Sequence, residues 1–199
     1  MVMVGLLINQ EDEGKLVKLK VRDSKLLTPK QRNSLYPKIL KVAKNYKVVI
    51  LSPQEIDDAL NSDVSNLNWL EADTSAAIIN ELEPDKAIID SPSNNIKKYQ
   101  AYLASKLKGR VELRLEHKAD VKYPVVSAAS IIAKVTRDKE IEKLKKKIGA
   151  DFGSGYVSDP YTRSFLEKNY EKYPDIFRKT WDPYRRLAQQ KGQKSLDEY

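Results

Sequence analysis

Cysteine is absent from this chain, and histidine occurs once, as His117. Disulfides and thiolate metal sites are thereby excluded, and a zinc centre has almost nothing to be built from. No apolar run approaches the roughly eighteen residues that a membrane-spanning helix needs. The N-terminal MVMVGLLI is apolar but short, and no basic segment precedes it, so it reads as a buried strand and not as a signal peptide. Internal repeats and low-complexity tracts are also missing. Together these absences predict a cytoplasmic protein with no membrane partner.

What is present is ordinary globular composition: 199 residues, 41% hydrophobic and 32% charged. That suits one well-packed domain with a C-terminal extension. The formal net charge of +8 suits a polyanionic partner, because cations set against phosphates release condensed counterions. A Lys- and Glu-rich surface built for ion pairs gives the same balance, so charge alone leaves both readings open.

Apolar runs alternate with helical patterns. Residues 1–8, 47–52, 87–90 and 111–116 read as strands, the last with period-two alternation of Val111, Leu113 and Leu115. Thr28-Pro29 caps a helix running toward Asn45, with a kink or break expected at Pro37. Further helices are predicted over Asn66–Leu82, Ser93–Lys108 and 124–148, and a shorter one near Tyr161–Lys172 before a polar tail. The alternation predicts a three-layer α/β sheet with a helical C-terminal appendage, divided as 1–148 and 149–199. Between Lys134 and Lys147 seven Lys/Arg face three Asp/Glu, which fits either a solvated helix face or a nucleic-acid contact.

Asp90 closes an apolar strand, and Asp120 stands between a strand end and the longest helix. Both positions lie at a sheet's edge, where α/β folds place ligands. Asp90 is equally placed to cap the following helix. Two carboxylates on separate strand ends point to hard divalent ions such as Mg²⁺ or Mn²⁺, which take oxygen ligands. Two-metal phosphoryl chemistry needs more acids than these two. His117 reads as a hydrogen-bonded structural histidine or a general base, and Asp138 as an intrahelical ion-pair partner. Ser24 and Lys25, in Asp23-Ser24-Lys25, sit just ahead of a helix N-terminus suited to a phosphate. Tyr156, in the flexible turn Gly153-Ser154-Gly155-Tyr156, can stack on a base or sugar, or pack within its own loop.

Six segments taken together resemble ribonuclease HII, the type 2 ribonuclease H, in its archaeal form. They are RDSKLLTP (22–29), IIDS (88–91), EHKAD (116–120), SAASIIAKVTRDKEIEKLK (127–145), FGSGYVSDPYTRSFLE (152–167) and RKTWDP (178–183). Their order and spacing follow the family over nearly the whole chain. The resemblance implies a ribonuclease H-like three-layer fold, a mixed central sheet with flanking helices, and a monomer. It implies an endoribonuclease that cuts the RNA strand of RNA/DNA hybrids, and cuts 5′ of single ribonucleotides in duplex DNA, with Mg²⁺ or Mn²⁺. Asp90 and Asp120 then inherit metal-ligand and catalytic roles, Ser24 and Lys25 phosphate contacts, and Tyr156 the stacking role at the RNA–DNA junction. A sliding clamp is a further candidate partner, although QQKGQKSLDEY carries no convincing clamp-binding pattern.

The departure is at the start. The family opens with a strand ending in Asp-Glu and a Gly-Arg-Gly segment, and MVMVGLLI resembles the strand after it. Glu11, Asp12 and Glu13 lie in a polar turn and do not substitute for that pair. Three explanations stay open: a start placed at an internal methionine of a longer protein, a truncation that does not catalyse, or a nucleic-acid-binding remnant; the 199 residues as written are expected to leave two strand edges unpaired and to show little cleavage. The alternative function is a catalytically dead nucleic-acid-binding module.

Overall fold

The computed structural model describes residues 1–21 and 24–196, with side chains through residue 190. The chain forms β1 (Val2–Leu7), α1 (Glu13–Lys18), α2 (Pro29–Val42), β2 (Asn45–Ile50), α3 (Pro53–Asn61), α4 (Leu67–Leu82) and β3 (Lys86–Asp90). After these come α5 (Ile96–Ser105), β4 (Glu112–Glu116), α6 (Ala119–Lys122), α7 (Pro124–Ile148), α8 (Pro160–Asn169) and α9 (Asp182–Leu196). Two compact units result. The first comprises residues 1–50 and 67–137, the second 51–66 and 138–199.

In the first unit β1 pairs antiparallel with β2, and β3 pairs parallel with β4. Strand periodicity decides what each face meets. On one face of β1, Val4 and Leu6 pack on a core of Leu16, Ile39, Ala128, Ile131, Ile132 and Val135, drawn from α1, α2 and α7. On the other face, a Cβ at Gly5 would strike Ile78 and Leu82 of α4, so only glycine lets that helix approach. The paired positions Ala87↔Leu113 and Ile89↔Leu115 carry a second core with Ala72, Ala76 and Ile79 of α4 and Tyr99 and Leu103 of α5. The expected alternation of Leu113 and Leu115 is thus what buries β4. The arrangement is α/β and helix-rich with small sheets, the class the sequence predicts.

Among the described residues the strands form two separate two-stranded sheets, β1-β2 and β3-β4. One cleft of about 1010 Å³ is lined by β1 along one side and β3 along the other.

Several local expectations change. α2 runs unbroken through Pro37, because burial of Arg32 and Ile39 on either side holds the helix across the missing N–H. The turn containing Glu13 continues into α1, where Leu16 is fully buried, and tertiary packing thereby stabilises a six-residue helix that its sequence alone would not. The polar C-terminal stretch forms α9.

The second unit is packed around aromatic rings. Phe165 stacks or tilts against Phe152, Tyr173 and Phe177 with centroids 5.4, 6.0 and 6.3 Å apart, and Tyr184 meets Tyr170 edge-on at 5.7 Å. Ile56 of α3 and Leu166 of α8 are buried there too. No helix among the described residues is long and apolar enough to cross a membrane.

Candidate active site

Asp90 is the last residue of β3, and its register partner is Glu116, the last residue of β4. Both acids therefore emerge at the carboxyl ends of a parallel pair. The chain turns immediately after β4: Lys118 adopts a left-handed conformation (φ 57°), and α6 begins at Ala119. That turn brings the Ala119 N–H to Asp90, whose Oδ1 accepts it at 3.1 Å. Asp120, the next residue, is thus held beside Asp90 although thirty positions separate them in sequence. Asp120 is buried and Asp90 exposed. Asp90 accepts from α6 and not from the start of α5, where Asn95 supplies the cap by accepting from the Lys98 N–H at 3.0 Å.

The same junction is tied from the other strand. The Ser91 N–H donates to the Glu116 carbonyl at 2.9 Å, and His117 Nδ1 lies 3.2 Å from the Ser91 carbonyl. His117 is therefore a structural link between the two strand ends. The Glu116 side chain accepts from Lys122 Nζ at 2.5 Å, from the Tyr123 hydroxyl at 2.6 Å and from Arg114 Nε at 2.8 Å. These donors, Lys122 foremost, hold its carboxyl down to about 2. Glu116 is a residue of this junction to which the sequence assigned no role. Like Asp90 it is an acid that ends a strand. Its three donors belong to the fold, so Glu116 fastens α6 to β4 and does not stand open as a third ligand.

Among the described residues no group of three His, Cys, Asp or Glu side chains is disposed to hold a metal ion. Asp90 and Asp120 supply oxygen donors of the kind a hard divalent cation takes, enough in type for one ion and too few in number for two.

The other predicted residues lie elsewhere. Ser24 and Lys25 occupy a single 3₁₀ turn (Ser24–Leu26) ahead of α2, with Ser24 buried and Lys25 exposed, while Asp23 lies outside the described residues. Arg32 Nη1 donates to the carbonyls of Ser24 at 3.0 Å and Leu27 at 2.6 Å, which ties this turn to α2. Tyr156 belongs to the second unit and is 46% exposed. Its loop is fastened, contrary to the flexible turn expected. Asp159 accepts from Ser154 N at 2.6 Å and from Tyr161 N at 3.0 Å, and Thr162 Oγ1 accepts from Gly155 N at 2.9 Å. The same hydroxyl donates to the Phe152 carbonyl at 2.7 Å. Gly153 and Gly155, both at φ 74°, supply the left-handed turns that let α8's first residues gather this loop.

Comparison with known proteins bears on the family and the fold. The family model described as Ribonuclease HII matches residues 1–183. Ribonuclease HII of Pyrococcus furiosus is 41% identical over 208 residues, covering 100% of this chain and 91% of the relative. Among solved structures, ribonuclease H2 from Pyrococcus horikoshii OT3 superposes with a TM-score of 0.81 at 39% identity, covering 96% of this chain and 98% of that one. The RNase HII of Archaeoglobus fulgidus, solved as a complex with PCNA, gives 0.79 at 36% identity, covering 94% and 95%.

Proposed function

The chain belongs to the ribonuclease HII family, and on that premise we propose that it is an endoribonuclease acting on RNA/DNA hybrids and on single ribonucleotides within duplex DNA. The observation that carries the reading is the Ala119 N–H on Asp90, which sets Asp120 beside it at the carboxyl ends of β3 and β4. In this reading Asp90 and Asp120 hold Mg²⁺ or Mn²⁺. Such an ion, when bound, polarises the phosphodiester and lowers the pKa of water. The protein's own part is orientation. Ala119 fixes the Asp90 carboxylate, and the Glu116 contacts to Lys122 and Tyr123 fix where α6 leaves β4. Lys25, with Ser24, meets a backbone phosphate, and Tyr156 stacks at the RNA–DNA junction. A sliding clamp is a candidate protein partner, by analogy with the Archaeoglobus fulgidus relative.

Cleavage of a duplex carrying one ribonucleotide, assayed with each metal ion, tests the proposal. The expected products carry a 3′-hydroxyl and a 5′-phosphate, and Asp90→Asn or Asp120→Asn lowers the rate at least about a hundredfold while duplex binding persists. A rate unchanged by both substitutions would overturn the assignment.

The second reading is a nucleic-acid-binding module without cleavage. The engagement of Glu116 with Lys122, Arg114 and Tyr123 favours it, since that leaves two carboxylates at the site. Tight, salt-dependent duplex binding with no cleavage in any metal ion selects this reading.

A further inference from the structure

The basic residues of this protein are not spread evenly. Residues 14–50 hold eleven Lys/Arg and one acid, Asp23, whereas outside that stretch 25 basic residues face 27 acidic ones. The whole formal charge of +8 therefore arises between α1 and β2. A surface built for ion pairs intersperses both signs. The Lys134–Lys147 stretch does so: Lys143 pairs with Glu140 at 2.6 Å, and Lys145 with Glu142 and Asp151 at 2.8 and 3.0 Å.

Residues 14–50 are answered far less. Lys15 pairs with Asp12 at 2.6 Å and Lys47 with Glu81 at 2.8 Å. Among the described residues no carboxylate pairs with Lys18, Lys20, Lys30, Lys38, Lys41 or Lys44, and all six are exposed. Like charges gathered in this way oppose the compact state, a cost that a covering polyanion relieves.

α2 gives this charge a shape. Arg32 and Ile39 are buried, and at about 100° per residue Lys30, Lys38 and Lys41 fall within an arc of about 80° on the opposite side. Lys30 and Lys41 stand about 16 Å apart along the axis, a length over which duplex nucleic acid presents about ten phosphates. Asn33 and Ser34, both exposed, add an amide and a hydroxyl, groups that also donate to phosphate oxygens. No exposed residue of α2 is a large hydrophobic. The face therefore suits neither insertion into a lipid surface nor the core of a protein interface, from which lysine is depleted.

We propose that the outward face of α2 is a phosphate-backbone track, which holds a nucleic-acid duplex through Lys30, Lys38 and Lys41 without reading base or sugar. The track rests on the nucleic-acid reading above and continues along α2 the contact assigned to Ser24 and Lys25. It secures any duplex and leaves discrimination of the ribonucleotide to the site at Asp90 and Asp120.

The test measures binding of the 199-residue protein to two duplexes of equal length, one all-DNA and one carrying a single ribonucleotide, from about 50 to 200 mM salt. The parent is compared with Lys30→Gln/Lys38→Gln/Lys41→Gln and with a charge-matched control on α7, Lys139→Gln/Lys143→Gln/Lys146→Gln. The α2 variant is expected to show a salt dependence of log affinity shallower by about 2 to 3, and affinity at the lowest salt at least about tenfold weaker. Both duplexes lose alike, so their affinity ratio stays fixed, and the α7 variant keeps the parent's slope. If the triple variant melts below the assay temperature, the three single substitutions decide, each expected to lower the slope by about 0.9. An unchanged slope on α2, with the parent binding, overturns the track and leaves the functional reading standing. Equal losses from the two triple variants overturn it in favour of general charge attraction, and a loss confined to the ribonucleotide duplex in favour of a contact at the junction. A parent that binds neither duplex overturns the functional reading together with the track.

Discussion

The two units solve burial in opposite ways. The first is aliphatic, layered, and open along two strand edges, and its carboxylates gather where parallel strands end. The second is aromatic and closed by local polar anchors. There Asp57 of α3, 4% exposed, accepts from Lys179 N at 2.6 Å and from Thr180 N and Oγ1 at 3.0 and 2.5 Å. Burial raises the Asp57 carboxyl, yet the Thr180 hydroxyl, the two N–H groups and the Arg178 charge together bring it below its ordinary value. The contrast teaches that stability and openness are divided here. The first unit brings its acids to strand ends, while the second ties the buried Asp57 to main-chain and hydroxyl donors.

The largest effect should come from breaking the closed side. Asp57→Ala strands two main-chain donors and a hydroxyl around residues 179 and 180, and is expected to cost about 3 kcal/mol in urea denaturation. Asp57→Asn, which keeps an acceptor, should cost less. On the open side, Gly5→Ala drives a methyl group into Ile78 and Leu82, and a loss of about 2 kcal/mol by the same assay is expected as α4 is pushed from β1.

Both units also use one device, which sharpens the comparison by holding local chemistry constant. Thr28-Pro29 with Gln31, and Ser52-Pro53 with Glu55, each form a complete capping box. Thr28→Ala and Ser52→Ala should each cost about 1 kcal/mol, and a large inequality between them would locate the difference in tertiary context.

The smallest effect at neutral pH belongs to Glu116. Its carboxyl is lowered from 4.5 to about 2, so the stability it contributes is complete above about 4.5 and is lost as pH falls toward 2. Acid titration followed by circular dichroism should therefore show a shallower decline for Glu116→Gln than for the parent within that window. Identical slopes would remove the network from the account of the site.

Much of this was legible in the sequence because it is local. The alternation of Leu113 and Leu115, the Thr28 cap and the acid ending β3 follow from periodicity and from chemistry a few residues apart. Other features have no such signal. Nothing near Asp57 announces a partner 122 residues away at Lys179, and nothing near Pro37 tells that burial of Arg32 and Ile39 will carry the helix through. The engagement of Glu116 by Lys122, Tyr123 and Arg114 likewise depends on the left-handed turn at Lys118.

By itself the sequence determined the ribonuclease HII resemblance and the α/β class, and placed Asp90 and Asp120 at strand ends, because motif order and strand periodicity are properties of the chain read in one dimension. Tertiary structure alone decided that Ala119 binds Asp90, that Glu116 is spoken for, and that β1 and β3 turn unpaired edges into one cleft. Each of those depends on which distant groups meet, and the contact of two strand ends or two helices is set by packing that no single segment encodes.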